Sequence, residues 1–337
     1  MEVSAPERVE VGEASQVGEV RRRACRIATD LHFNETDVGR VAIAASEVAS
    51  NVIKHGRGGE VLLQPGQDEW ERTLTIIALD RGPGIANTDV SLSDGVSTAG
   101  TPGTGLGAIA RQSDEFCLYS NPGNGAAVIS RIWPDDVHPS DGHILAEGIM
   151  VPHPRETVCG DGWATAEPNG RRRVLVVDGL GHGPLASEAS QLAIECFHAS
   201  GGRSPAETIT EIHAALRPTR GAAAAMAEID EREEVVRFCG VGNVGAAIIA
   251  GGTMRNLVSH YGTLGHDVRK IHEFQYPWAP GSILVLYSDG IQSHISFNSH
   301  ARLSQSHPLL IAAMLYRDYR RGTDDATVVV AKAWATA

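Results

Sequence analysis

Asp80-Arg81-Gly82-Pro83-Gly84-Ile85 is the stretch that decides the fold of the first half of this chain. It begins where a run of strand-forming residues, Leu74–Asp80, ends in a Gly/Pro turn. The two glycines let the backbone approach a flat base closely, and the Asp80 carboxylate can accept a hydrogen bond from an exocyclic amine. Such a stretch alone is more often a plain turn, so its meaning depends on the segments around it.

The segments on either side supply what a nucleoside triphosphate needs. Gly103-Thr104-Gly105-Leu106-Gly107 opens a predicted helix near Ala108, so backbone N–H groups and the positive end of a helix dipole can face phosphates. Upstream, a helix predicted to start after the N-cap Asn34 carries Glu47 and Asn51 on one face, one turn apart. An asparagine oxygen suits Mg²⁺, and a carboxylate can act as a general base. Each segment alone is weak evidence, but the three in this order predict a Mg·ATP site.

The three segments resemble the N, G1 and G2 boxes of the GHKL ATPase fold over nearly all of residues 1–134. Ser93-Asp94-Gly95-Val96-Ser97-Thr98 and Ser113-Asp114-Glu115-Phe116 are most similar to RsbT-like serine protein kinases, which belong to the anti-sigma-factor kinase family. The resemblance implies a Bergerat-type α/β sandwich in which Asn51 holds Mg²⁺ and Glu47 activates the acceptor serine. The implied nucleotide contacts, under a lid of about residues 91–102, are Asp80, Gly82, Gly84, Thr104, Gly105, Leu106 and Gly107.

A polar stretch separates two parts of the chain that differ in their pattern of helix-like and strand-like segments. Pro134-Asp135-Asp136-Val137-His138-Pro139-Ser140-Asp141-Gly142 contains two prolines and few apolar residues, which is typical of a linker. The prediction is an ATP-binding domain at residues 1–134, a linker at residues 135–144 and a second domain at residues 145–337. The second domain is rich in strand-like runs, interrupted by helices after Pro184 and after Ser204.

Acidic residues recur at strand ends in the second half. They occur in Gly160-Asp161-Gly162, Asp178-Gly179-Leu180-Gly181-His182-Gly183, Ser288-Asp289-Gly290 and Asp324-Asp325. Carboxylate ligands suit Mg²⁺ or Mn²⁺, and two such metals can ready a bridging water for in-line attack on a phosphoester. One Asp-Gly pair is usually a turn, but four sites beside strand-like runs predict a shared metal centre.

These turns resemble the PPM phosphatases of the SpoIIE and RsbX group over about residues 145–333. The resemblance implies an αββα sandwich with two Mn²⁺ or Mg²⁺ ions. Asp161 would bridge both metals, Asp178 and the Gly179 carbonyl would hold the first, and Asp289 with Asp324 would hold the second. Three nearby features are not assigned to the predicted site, namely His182, the arginines at residues 171–173 and Asp325, which follows Asp324 directly.

The composition indicates which kinds of binding partner and which cellular compartment to expect. The formal net charge of −12 disfavours nucleic acid and anionic membranes as partners. Five cysteines without a C-x-x-C pair fit a reducing compartment, and the first residues lack the apolar core of a signal peptide. We therefore expect a cytoplasmic α+β enzyme that binds neither nucleic acid nor membrane.

Together the two resemblances predict a bifunctional signalling enzyme of a bacterial sigma-factor partner switch. The kinase part and the phosphatase part would act oppositely on serine or threonine of STAS-domain antagonist proteins, with a stressosome-like complex as a further partner. The sequence also allows an alternative function. The first domain would then be an ATP-binding module that sequesters a sigma factor or senses ATP, coupled to an active phosphatase.

Overall fold

The computed structural model describes residues 6–66, 72–85, 105–134, 144–297, 300 and 302–333. It divides into two compact units. Unit 1 comprises Met1–Ser140 with Phe297–Met314, and unit 2 comprises Asp141–Ser296 with Leu315–Ala337. The predicted lid, Thr104 and linker residues 135–143 lie outside the described residues. Helices and sheets occur in both units, in agreement with the predicted α+β class.

Unit 1 contains one antiparallel five-stranded sheet in the order β1-β2-β3-β5-β4. Its strands are β1 (Glu7–Val11), β2 (Gly59–Pro65), β3 (Leu74–Asp80), β4 (Glu115–Ser120) and β5 (Ala126–Ile132). Its helices are α1 (Ala14–Asp30), α2 (Glu35–Lys54) and α3 (Gly105–Gln112). The apolar stripes of α1 and α2 pack with one face of the sheet into a single core, as an amphipathic helix requires.

Helix α2 positions the predicted kinase residues. Asn34 caps it, because the Asn34 side chain accepts a hydrogen bond from the Asp37 N–H at 2.9 Å, which confirms the predicted start. Its buried stripe includes Val41, Val48 and Val52, and alanines between them let α1 approach closely. Glu47 and Asn51 are half-buried beside this stripe, so their side chains are not part of the apolar core.

A late segment of the chain belongs to unit 1, which the sequence did not reveal. Within Phe297–Met314, the His300 ring makes an edge contact with Tyr119 at a centroid distance of 6.1 Å. The His307 Nε2 atom lies 3.1 Å from the Glu115 Oε1 atom on β4. Residues that follow the Asp289 motif in sequence thus help to build the unit that contains the first half of the chain.

Unit 2 contains two antiparallel five-stranded sheets with the orders β13-β10-β9-β8-β7 and β12-β11-β14-β15-β6. The strands are β6 (Ile144–Val151), β7 (Asp161–Ala166), β8 (Arg172–Gly179), β9 (Ala222–Asp230), β10 (Val235–Val241), β11 (Gly245–Ala250), β12 (Thr253–Asn256), β13 (Phe274–Pro277), β14 (Ile283–Tyr287) and β15 (Ala326–Ala333).

The core of unit 2 lies between these two sheets. Trp163 and Val176 from the first sheet pack with Leu286 and Val329 from the second, as expected when two sheets share one apolar interior. Helices α4 (Pro184–Ala199) and α5 (Pro205–Ala215) cover the outer face of the first sheet and form a second core with it. This layering holds the strand ends that carry the acidic turns in fixed positions.

Helix starts in unit 2 follow the sequence signals. Ser204 accepts a hydrogen bond from the Glu207 N–H, the Glu207 side chain returns one from the Ser204 N–H, and Pro205 takes the first helical position. Helix α6 (Pro308–Tyr319) was not predicted. Among the helices in the described part of the chain, none has the length and apolar character needed to span a bilayer.

Candidate active sites

The first candidate site forms where α2 meets the start of α3. Glu47 and Asn51 lie one turn apart on α2, and Gly105 is the first residue of α3. A Cβ atom at Gly105 would lie 3.0 Å from the Asn51 Oδ1 atom and 3.5 Å from the Glu47 Oε2 atom. A side chain at Gly105 would therefore crowd the Asn51 amide at this close approach. The approach brings helix N–H groups, an amide oxygen and a carboxylate together.

The Asp80 turn builds the neighbouring wall of this site. The Asp80 Oδ1 atom accepts a hydrogen bond from the Gly82 N–H at 2.8 Å. A Cβ atom at Gly82 would lie 2.8 Å from the Gly56 Cα atom, so this glycine allows the turn to contact the end of α2. Gly84 has a φ of +70° and lies against the backbone of Asn121. Glycine at positions 82 and 84 therefore allows close contact with Gly56 after α2 and with Asn121 after β4.

The donor set of this site suits a magnesium nucleotide. Asn51 offers an amide oxygen and α3 offers the positive end of its dipole, both of which suit Mg²⁺ and phosphates. The close approach at Gly105 is the kind of cradle that a side chain would fill. Leu106 and Gly107 follow in the first turn of α3, whereas Thr104 lies outside the described residues. The individual roles of these residues remain predictions.

The second candidate site lies where strands of both sheets of unit 2 end. Asp161 opens β7 and is the register partner of Asp178 near the end of β8. In the other sheet, the Ser288 N–H donates to the Thr327 carbonyl, which joins the segment that leaves β14 to the start of β15. Asp289 follows Ser288 directly. The topology therefore explains why four acidic turns far apart in sequence are drawn together.

The carboxylates of this site repel one another. Burial, followed by the negative charges of Asp325 and Asp289, raises the pKa of Asp161. Burial, followed by the charges of Asp161 and Asp289, raises the pKa of Asp178. Asp161 is 2% exposed, and its Oδ2 atom has no hydrogen-bond partner. A buried carboxylate oxygen without a donor suits a divalent cation, which would also neutralise the repulsion among these carboxylates.

Asp324 and Asp325 have different surroundings. Both oxygens of Asp325 accept backbone hydrogen bonds, from the His153 N–H at 2.7 Å and the Gly160 N–H at 3.0 Å. Asp325 therefore fastens the loop that leads into β7. Asp324 is half-buried and its Oδ1 atom caps the Asp325 N–H at 3.0 Å, which leaves its other oxygen for a cation. The prediction of Asp324 as a ligand suits this arrangement.

The structure shows the contacts of two features that are not assigned to the predicted site, the arginines at residues 171–173 and His182. Arg173 is fully buried and donates a hydrogen bond to the Thr208 hydroxyl at 2.8 Å. Arg171 forms an ion pair with Asp230 at 2.7 Å. Both contacts support structure and explain the run at residues 171–173 without a bound phosphate. The His182 Nδ1 atom lies 2.7 Å from the Glu156 Oε1 atom.

Sequence reasoning missed the residues that surround His182. His153 and Glu156 lie between β6 and β7, in a loop without the glycine signature of the other turns. The Asn243 side chain, in the glycine-rich turn of residues 240–245, donates a hydrogen bond to Asp289. The one available signal was that the loop directly precedes Gly160-Asp161-Gly162.

A third cluster contains potential metal ligands but has a simpler explanation. Glu115, Cys117 and His307 place one ligand atom each within 4.8 Å of one another. The His307 Nδ1 atom accepts a hydrogen bond from the Leu309 N–H at 3.2 Å, so the ring proton lies on Nε2, which faces Glu115. A metal at Nε2 would have to displace that proton. His307 therefore acts as a helix cap that donates to a carboxylate.

Two family models match different parts of the chain. Residues 11–132 match the family model of the histidine kinase-like ATPase domain, and residues 168–334 match that of stage II sporulation protein E, SpoIIE. Over 113 residues the chain is 34% identical to the serine/threonine-protein kinase RsbT of Bacillus subtilis (strain 168), and the match covers 34% of this chain and 85% of RsbT. The first half of the chain belongs to the RsbT kinase family.

The second half of this RsbT-family chain is similar to a phosphatase. Over 152 residues it is 24% identical to the phosphoserine phosphatase RsbX of Bacillus subtilis (strain 168), covering 45% of this chain and 76% of RsbX. A crystal structure of RsbX in complex with magnesium aligns with a TM-score of 0.52 at 23% identity, over 57% of this chain and 96% of that one.

A chain solved in work on the bacterial stressosome, described as a modular system adapted to control secondary messenger signaling, also aligns with this one. Its TM-score is 0.53 at 26% identity, over 56% of this chain and 99% of that one. Taken with the family matches, these likenesses make the chain a two-part enzyme. It joins a part of the RsbT serine/threonine kinase family to a part that is similar to SpoIIE and to the phosphatase RsbX, as predicted.

Proposed function

We propose that this chain both writes and erases one phosphorylation mark in a bacterial sigma-factor partner switch. The kinase domain would phosphorylate a STAS-domain antagonist protein on serine or threonine with ATP, and the phosphatase domain would hydrolyse that phosphoester. The observation that carries the proposal is the presence, in one chain, of regions similar to a serine/threonine-protein kinase and to a phosphoserine phosphatase. Joining opposite reactions is useful when both act on the same target.

The geometry of the first site supports phosphoryl transfer. Asn51 would hold Mg²⁺ on the triphosphate, and the N–H groups at the start of α3 would neutralise phosphate charge. Glu47, one turn from Asn51, would accept the proton of the target hydroxyl as that oxygen attacks the γ-phosphorus. The Asp80 turn would bind the adenine. A pure ATP sensor needs the magnesium ligand but has no use for the base, and this favours the kinase over the alternative.

The second site supports hydrolysis of the product. When bound, two Mn²⁺ or Mg²⁺ ions would supply a bridging water activated for in-line attack on phosphorus. Asp161, Asp178, the Gly179 carbonyl, Asp289 and Asp324 would hold these ions. Asp325 would keep the loop before β7 in place, and the Asn243 side chain would orient Asp289.

Partners and compartment follow from the same proposal. The target is a STAS-domain protein, and a stressosome-like complex is a second proposed partner. The net charge of −12 agrees with protein partners rather than nucleic acid or anionic membrane. A cytoplasmic location would give the kinase access to ATP.

The proposal is tested with the full chain, a purified STAS-domain protein and γ-labelled ATP. Labelling of that protein on serine or threonine, lost in Asn51→Ala, would support the kinase. Release of phosphate from the labelled protein with Mn²⁺, lost in Asp289→Asn, would support the phosphatase. Labelling that persists in Asn51→Ala would contradict the kinase assignment. Stable binding of a sigma factor without any labelling would favour the sequestration alternative.

A further inference from the structure

Two loops of unit 2 carry an excess of positive charge. Residues 216–221 connect α5 to β9, and residues 262–271 lie in the connection from β12 to β13. Against one acidic residue, Asp267, they contain four cationic residues, Arg217, Arg220, Arg269 and Lys270. The chain as a whole has a net charge of −12, so these loops differ in sign from the rest of the molecule.

The structure packs these two loops against each other. The Gly265 N–H donates a hydrogen bond to the His213 Nδ1 atom at 3.1 Å, and a Cβ atom at Gly265 would lie 2.7 Å from the Leu216 carbonyl oxygen. The His266 Nε2 atom lies 2.8 Å from the Arg220 carbonyl oxygen. The four cationic residues of the two loops therefore belong to one surface, which we call the basic patch.

The cations of the basic patch are available to an outside partner. All four are exposed, and no carboxylate in the described part of the chain forms an ion pair with any of them. Elsewhere in unit 2, Arg171, Arg203 and Arg237 each form an ion pair with a carboxylate. An unpaired cation can bind a negatively charged group without first giving up an existing ion pair.

Arg220 brings the basic patch to the edge of the second candidate site. The Leu180 N–H donates a hydrogen bond to the Gly221 carbonyl at 3.0 Å, which joins the turn after β8 to the start of β9. A Cβ atom at Gly181 would lie 3.4 Å from the Arg220 Nη1 atom. The Arg220 guanidinium therefore lies against the turn that follows Asp178, a predicted metal ligand.

Apolar side chains are exposed along the same edge. Leu180, in the turn after β8, is 52% exposed, and Tyr261 is 91% exposed. The segment of Tyr261 is joined to the turn of residues 240–245, because the Gly242 N–H donates to the His260 carbonyl at 2.8 Å. Exposed apolar and aromatic groups beside arginines are typical of protein-binding surfaces. The surface therefore fits a protein segment, and the net charge of −12 disfavours nucleic acid.

We propose that the basic patch docks an acidic stretch of the phosphorylated target protein while the phosphorylated residue occupies the predicted metal site. The inference rests on the proposed function and adds a substrate class, namely targets with aspartate or glutamate close to the phosphorylated residue. Arg220, at the edge of the site, contacts the acidic side chains next to that residue, and the other three cations attract more distant ones. These contacts form on substrate binding and persist during the reaction, so they lower KM with little effect on kcat.

Two phosphoserine peptides test the basic patch. One has aspartates on both sides of the phosphoserine, and the other has asparagines at the same positions. With Mn²⁺, the unmodified full chain should show a KM about tenfold lower for the acidic peptide at similar kcat. Arg220→Gln should raise the KM of the acidic peptide about three- to fivefold and change that of the amide peptide by less than about twofold. Combining it with Arg269→Gln should remove most of the preference.

A matched variant and a second readout separate docking from general effects of charge. Arg255→Gln removes the same charge from an exposed arginine on β12, an edge strand of the other sheet, and should leave both KM values unchanged. Salt should weaken the preference of the unmodified chain for the acidic peptide, because the contacts are between exposed charges. Fluorescence anisotropy of labelled, unphosphorylated versions of the two peptides measures docking without hydrolysis.

Three results would overturn the inference. They are equal KM values for the two peptides in the unmodified chain, an equal effect of Arg220→Gln on both peptides, and an effect of Arg255→Gln as large as that of Arg220→Gln. An unmodified chain that hydrolyses neither peptide would instead contradict the phosphatase proposal. The anisotropy would then decide the docking surface by itself, since tighter binding of the acidic peptide, reduced by Arg220→Gln, supports it and equal binding of both peptides contradicts it.

Discussion

Asp178 lies in the second candidate site, among carboxylates that repel one another. Desolvation, followed by the negative charges of Asp161, Asp289, Asp324 and Asp325, raises the pKa of its carboxyl group. A raised pKa means that the folded protein holds the proton more tightly than the unfolded chain does. The stability of the metal-free protein therefore falls as pH rises above the unfolded pKa of about 3.9 toward and beyond neutrality.

Asp178→Asn should therefore reverse its effect on stability when metal is added. In excess chelator at pH 7 the variant is expected to be more stable than the unmodified chain by about 1–3 kcal/mol, because folding then neither buries a charge at this position nor binds a proton from solution. With Mn²⁺ present it should be less stable and inactive as a phosphatase. Thermal unfolding under both conditions measures this. A variant less stable than the unmodified chain in chelator would contradict the electrostatic account, and Asp30→Asn on the surface of α1 is the control.

The pKa of Glu115 is shifted in the opposite direction, downward. Despite burial, hydrogen bonding from His307 and the charge of Arg131 lower the pKa of Glu115 to about 2 from an ordinary value of 4.5. The Arg131 Nη1 atom lies 2.6 Å from its Oε2 atom. A lowered pKa adds stability that is complete above about pH 4.5 and is lost as pH falls toward 2.

Glu115→Gln should accordingly cost about 2 kcal/mol of stability at pH 7, since it leaves the buried Arg131 guanidinium without its carboxylate. The difference from the unmodified chain should shrink as pH falls from about 4.5 to 2. Chemical unfolding followed over this pH range measures it. Glu10→Gln, at a carboxylate that is 73% exposed, should have little effect. A pH-independent cost of Glu115→Gln would show that shape, not charge, matters at this position.

At the scale of elements, the contact between α2 and α3 explains the predicted ATP site. Gly105→Ala would place a methyl group 3.0 Å from the Asn51 Oδ1 atom, so either the Asn51 amide or the start of α3 would have to shift. We expect ATP affinity, measured by calorimetry, to fall at least about tenfold while the protein stays folded. Gly39→Ala is the matched control, because Gly39 also lies in a helix and no atom lies within 4 Å of its added Cβ. Equal affinity in both variants would contradict the site.

Elements were predictable where their chemistry is local. The Asn34 cap, the Ser204 capping box and the strand Leu74–Asp80 carry their own signals, and the structure places each as predicted. Helix α6 was missed because residues 308–317 are all buried, and a segment apolar on every side has no periodicity to detect. Strand β4 was missed because it is a half-buried edge strand of mixed composition.

The residues of the candidate sites were likewise predictable only where the sequence around them carries a local signal. Asp161, Asp178 and Asp289 were found because glycine-bearing turns at strand ends mark them. Glu156 and His153 were not found, since their relation to His182 depends on a loop contact across 26 residues and on a ring stack. Contacts of this kind arise from tertiary structure and leave no spacing rule in the sequence.

For the whole molecule, the sequence order of motifs does not coincide with the compact units. Phe297–Met314 lies in sequence between Asp289 and Asp324, yet it belongs to unit 1. The linker prediction rests on residues 135–143, which lie outside the described part, so the predicted domain limits stay predictions. Sequence motifs locate chemistry well but do not reveal which unit a connecting segment joins.

The central claim is that both domains act on one target, and continuous phosphate release tests it most directly. The chain is mixed with ATP, Mg²⁺, Mn²⁺ and a STAS-domain protein, and inorganic phosphate is followed over many turnovers. The unmodified chain should release phosphate continuously, Asp289→Asn should accumulate phosphorylated target without further release, and Asn51→Ala should do neither. Continuous release by Asp289→Asn at the unmodified rate, or none by the unmodified chain once the target is fully phosphorylated, would contradict the account.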